Sequence, residues 1–196
     1  MLIEIIEGLK NSKSSIRRSA AKKIRKIKDP IYCPLLLDAL STEIHKNTWE
    51  TQYQIIMAIG ETKCHNALEF LYSILNIKLE PMVRLALSDA ITRIEQDDSF
   101  LINAIELKDK ELVEGAIRAI ALEHKKLSNS KILKLLNFLE SINDTETVFW
   151  LAAGAPGWDH SEIKANLIKW AESENYDLSR AAKSALDKKY LNWSIL

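Results

Sequence analysis

An apolar pattern that recurs about every 32 residues constrains this chain more than any other feature of it. Ile16 is followed by Ala20, Ala21 and Ile24, and a similar spacing recurs from Thr51, Val83, Val113, Val148 and Leu178. Val83 leads to Leu87, Ala90 and Ile91; Val113 to Ile117, Ile120 and Ala121; Leu178 to Ala182, Ala185 and Leu186. Offsets of 4, 7 and 8 mark one face of a helix. Each segment is preceded by a second apolar helical stretch, and these end near Leu9, Leu40, Leu75, Leu107, Leu139 and Trp170. The polar joints between them, such as Lys10 to Ser14, admit only a tight turn between antiparallel helices.

The repeating unit is therefore a helical hairpin, and a lone hairpin cannot bury its apolar face. Stacked neighbours must supply the core. The pattern predicts an all-α fold, a right-handed α-α superhelix of about six hairpins, with residues 1–196 as a single repeat domain. Composition agrees, since 5 Gly and 4 Pro in 196 residues leave little for a turn-rich sheet protein. Pro30 and Pro81 sit where a first helical turn tolerates proline, and Ser99, Ser130, Thr145 and Ser161 are expected N-caps.

The net charge is zero, but the charges are unevenly placed. Residues 1–30 hold nine Lys or Arg against Glu4, Glu7 and Asp29, whereas residues 31–100 hold five bases against ten acids. The basic run from Lys10 to Lys28 is interleaved with Ile16, Ala20, Ala21, Ile24 and Ile27, which makes it a basic helix and not a disordered tail. The opening MLIEIIEGLK carries Glu4 and Glu7 inside its apolar stretch, unlike a secretory signal, and no apolar run approaches a membrane span. Cys33 and Cys64 lie far apart in apolar surroundings and read as free buried thiols. A cytoplasmic protein with no membrane partner is the expectation.

The chain resembles HEAT-repeat proteins, whose second helix carries the flavour Val-Arg-x-x-Ala-Ala-x-Ala-Leu. The closest copies are Ile16-Arg17-Arg18-Ser19-Ala20-Ala21 and the stretch from Leu178 to Leu186. Gln52, Glu114, Phe149 and Ser179 replace the Arg, so any ladder built on it is incomplete. The resemblance implies that the second helices line a concave groove. Offsets 2, 6 and 10 then project into it: Arg18, Lys22 and Lys26; Tyr53, Met57 and Glu61; Leu85, Asp89 and Arg93; Trp150, Gly154 and Trp158. Tyr, Trp, Met and Arg are residue types that anchor protein interfaces. The candidate partner-binding set is Arg18, Lys22, Tyr53, Met57, Glu61, Asp89, Arg93, Trp150, Trp158 and Asp159. Trp150 and Trp158 equally suit packing between the last hairpins. The break at Pro156 and Gly157 either presents Trp158, Asp159 and His160 at a rim or merely redirects the chain.

The sequence carries no recognisable catalytic or metal-binding motif. His45, His65, His124 and His160 lie on different hairpins with no metal-ligand spacing, and no phosphate-binding glycine loop or nucleophile elbow occurs. No enzyme activity, cofactor, metal or small-molecule substrate is expected. Trp158-Asp159 with the basic first hairpin is similar to the site of the HEAT-like alkylpurine DNA glycosylases, which gives a DNA-binding alternative. Acidic second and third hairpins argue against a nucleic-acid partner. The bilin lyases, also HEAT-like, are selected by no residue here. The chain also looks like small bacterial HEAT proteins found with toxin systems. That resemblance implies an immunity protein that binds and blocks a toxin in its groove, with Asp38, Glu43, Glu50, Glu61, Asp89, Glu95, Asp97 and Asp98 meeting a basic cleft. The terminal Trp193, Ile195 and Leu196 are expected to fold over the last hairpin.

Overall fold

The computed structural model describes residues 2–95, 99–142, 144–158 and 161–191. Among the described residues there are twelve α-helices, three short 3₁₀ turns and no strand. They divide into two compact units, residues 1–97 and 98–196. The first holds α1 (Leu2–Lys10), α2 (Ser14–Ile27), α3 (Cys33–Glu43), α4 (Trp49–Glu61), α5 (Leu68–Ser73) and α6 (Pro81–Glu95). The second holds α7 (Ser99–Glu106), α8 (Lys110–Leu122), α9 (Asn129–Ile142), α10 (Thr145–Gly154), α11 (Ser161–Ala171) and α12 (Tyr176–Leu186).

Each unit is a stack of three antiparallel hairpins, the arrangement of an α-solenoid. In the first, α2 packs on α4 and α4 on α6, while α1 lies against α3. In the second, α8, α10 and α12 form one layer and α7, α9 and α11 the other. Every expected second helix is present, and its first apolar marker lies within its first turn. Ile55, Ile59, Leu87 and Ile91 are fully buried and fill the seam of the first unit, as Val113, Ile120, Leu151 and Ala182 do in the second. Small residues set the helix spacing: a Cβ on Gly60 would lie 2.6 Å from Ala90 Cα, which is backbone and cannot yield.

Helix starts follow carboxylate and amide caps. Asp109, Asp144 and Asn175 accept from the backbone N–H three residues on, at 3.0 Å in each case. Thr145 is thus the first residue of α10 and not its cap; Ser99, Ser130 and Ser161 likewise lie within their helices. Helix ends break the usual glycine rule. Lys28, Lys63, Lys108, His124 and Lys188 hold positive φ beyond α2, α4, α7, α8 and α12. The N–H after each of the last four closes a six-residue loop onto a helical carbonyl, Ile59, Ala104, Ile120 and Ser184 respectively.

The position after the first apolar marker joins the two helices of a hairpin. Arg17 donates to the Asn11 carbonyl, Gln52 to those of Glu43 and Lys46 at 2.9 and 2.8 Å, Arg84 to Leu75 at 3.1 Å, and Ser179 to Ala171 at 2.7 Å. Arg17 also crosses to the next hairpin, pairing with the fully buried Glu43. Thr48, Ser14 and Lys46 also donate to that carboxylate, so its burial is compensated.

Cys33 and Cys64 are not free thiols. They form a disulfide between α3 and the 3₁₀ turn His65–Ala67, with Cα atoms 5.6 Å apart. Their separation of 31 residues is one repeat period, so stacking brings equivalent positions of successive hairpins side by side. Distance in sequence was the wrong measure of distance in space.

Candidate binding face

The α2–α4 layer of the first unit carries a polar face organised by charge. Arg25 grips Glu61 through Nε at 3.1 Å and Nη2 at 2.7 Å, and its Nη1 donates to Gln54 Oε1 at 2.8 Å. One end of the layer is tied more loosely, with Arg18 Nη1 3.5 Å from Glu50. The two-point, largely buried Arg25 contact fixes side chains better than an exposed pair does. Lys22 and Lys26 are exposed on the same helix, and Tyr53 is half-buried on α4. Among the described residues Lys13, Lys22, Lys26 and Lys28 have no acidic partner. The outer side of α2 is consequently a strip of solvated lysines.

Four of the expected groove residues lie elsewhere. Met57 is 0% exposed, because α4 is packed by α2, α3 and α6 and its offset 6 turns inward. Asp89 and Arg93 are buried on α6 and paired with each other one helical turn apart. Trp158, 7% exposed, caps the end of α8 by donating its indole N–H to the Lys125 carbonyl at 2.9 Å. It closes over Gly154, where a Cβ would lie 3.3 Å from the indole ring, so the Pro156 break redirects the chain. Asp159, like His160 and the terminal Trp193, Ile195 and Leu196, lies outside the described residues. The glycosylase-like pairing of Trp158 with Asp159 therefore loses an accessible tryptophan.

Trp150 is half-buried in the second unit, with the Arg118 guanidinium 5.8 Å from its ring centre and Phe149 meeting it edge-on at 5.0 Å. This is a smaller aromatic-cationic surface on α8 and α10. At the start of α10, burial pushes Asp144 up, but bonds from Lys110 at 2.8 Å and from Thr147 overcome it and hold the carboxyl below its usual range.

Residues 16–42 match the PBS lyase HEAT-like repeat. The matched stretch covers most of α2 and α3, including Lys22, Lys26 and Lys28. No curated protein matches the chain. Among the described residues no helix is long and apolar enough to cross a membrane.

Sequence reasoning found Arg18, Lys22, Tyr53 and Glu61 on one face but missed Arg25 and Gln54, which organise it, and set Glu50 against a partner's basic cleft where it faces Arg18. The signal was present in complementary charges on successive hairpins. Stacking sets offset 9 of the first repeat beside offsets 3 and 10 of the second.

Proposed function

We propose that this chain is a non-catalytic protein-binding module that engages its partner through the α2–α4 face, and that the partner is a toxin domain it captures and neutralises. The observation that carries the first part is the combination on two packed helices of Arg18, Lys22, Lys26, Tyr53 and Glu61, with Glu61 and the neighbouring Gln54 fixed by Arg25. Preset side chains reduce the ordering cost of association, and Tyr and Arg are frequent anchors. HEAT-like repeats commonly mediate protein interactions, and the matched repeat includes the α2 half of this face. The toxin reading rests on the resemblance of the whole pattern to small HEAT-like immunity proteins.

The electrostatics of that reading change sign. Of the acids expected to meet a basic cleft, Glu43 and Asp89 are buried, Glu61 and Glu50 face arginines, and Glu95 accepts from Tyr72. Asp38 remains exposed, while Asp97 and Asp98 lie outside the described residues. The free lysines of α2 suit an acidic patch on the partner. The cytoplasmic assignment also loses the support of free thiols, since the two cysteines are paired.

Capture from cells that make the protein, with nuclease present, identifies the partner; titration of that partner against Lys22→Glu/Lys26→Glu and Tyr53→Ala variants tests the face. Binding weakened at least tenfold by either variant, and inhibition of the partner's toxicity by the wild type, are the expected results. Undiminished binding by both variants removes the α2–α4 face, and a non-toxic partner removes the immunity role.

A further inference from the structure

Two hairpins break the rule by which second helices are tied to the first: α10 carries the apolar Phe149 at that position, and α8 carries an acid. Arg17, Gln52, Arg84 and Ser179 all donate to carbonyls near the end of the preceding helix, but the equivalent residue on α8 is Glu114. An ionised carboxylate has no proton to donate. Glu114 is 8% exposed, and among the described residues it takes part in no hydrogen bond or ion pair. Its surroundings do not compensate. Asp144 and Glu146 face it from the start of α10, which packs on α8, and Lys110 and Arg118 face it from its own helix. The other helix of the hairpin, α7, carries one charged residue, Glu106, which is exposed at its end.

The two cations are already engaged. Lys110 bonds Asp144 at 2.8 Å, and Arg118 lies over Trp150. A negative charge on Glu114 is thus placed in a largely buried seam beside two further carboxylates, whereas the neutral acid carries no charge to desolvate there. We propose that Glu114 is a proton-operated latch of the second unit: protonated, it lets α8 and α10 close on each other, and ionised, it loosens the first turn of α10 and the Trp150 surface.

Burial first, then repulsion from Glu146 and Asp144, pushes the Glu114 carboxyl up to about 7, so the latch works near neutrality. The sign follows by linkage. A folded-state value above the unfolded one favours the fold most below about 4.5, and that advantage is lost as pH rises toward 7.

Amide hydrogen exchange of residues 145–154, corrected for intrinsic rates, tests the latch directly in the full chain. Between pH 6 and pH 8 the wild type should lose about tenfold in protection, the factor set by one unit of differential titration. Glu114→Gln should abolish that dependence, and Glu146→Gln should move the transition to lower pH by removing a like charge. A carbon-detected titration of Glu114, assigned through bonds in the wild type, gives an independent reading if the variants do not fold. A midpoint near 4.5, or protection that falls equally in Glu114→Gln, overturns the proposal.

Discussion

Reduction of the Cys33–Cys64 bridge should unfold the first unit selectively. The bond closes a loop spanning 31 residues, and the chain-entropy relation gives about 3.7 kcal/mol of stabilisation for a loop of that length. Nothing comparable acts on the second unit, because both cysteines belong to the first. With a urea dependence of about 2 kcal/mol per molar, the midpoint of the first unit should fall by roughly 2 M on reduction. Both sulfurs are buried, so reductant must be equilibrated through partial unfolding and the chain then returned to native conditions. Hydrogen exchange along urea series of oxidised and reduced protein reads the units separately. Loss of protection in α2 to α4 at lower urea, with α8 to α12 unchanged, is the expected pattern. Equal midpoints in the first unit, with thiol counts confirming the two redox states, would refute the reasoning.

Other consequences are as specific. Gly60→Ala places a methyl 2.6 Å from the Ala90 backbone and should destabilise the first unit by about 1–3 kcal/mol in thermal unfolding; an unchanged melting temperature means that α4 and α6 are not that close. Lys108→Gly relieves a left-handed φ of 54° and should raise stability by about 0.5–1 kcal/mol, measured as a higher urea midpoint in the second unit. Asp144→Ala removes a cap and the Lys110 pair together. It should cost about 1–2 kcal/mol at neutral pH and progressively less in acid, because the lowered carboxyl contributes stability above its unfolded value that is lost as pH falls.

Helix number, helix register and the pairing into hairpins were all legible in the sequence, because an apolar face that must be buried imposes its period on the chain. Val83, Val113 and Val148 mark α6, α8 and α10 as the pattern predicts. Helix termini were less legible. Five ends turn on Lys or His at a position where glycine is the usual signal, and caps fell to Asp109, which no expectation marked, and to Asp144, one residue before the expected Thr145. The disulfide escaped notice because it follows the period of the stack and not proximity in sequence. Site residues were legible only on the outer layer. A fixed offset marks solvent where a helix has one free side, as at Lys22, and marks core where neighbours flank it, as at Met57. Periodicity carries no information on which case holds.

Site-specific photocrosslinking in cells that make the protein tests the central claim most directly, that the α2–α4 face meets a protein. A photoreactive residue in place of Lys22 or Tyr53, with one in place of the exposed Leu133 on α9 as control, samples the two units. The account predicts one discrete protein adduct from both positions 22 and 53 and none from 133. Adducts from 133 alone, or none from 22 and 53 while the captured partner still co-purifies, would contradict it.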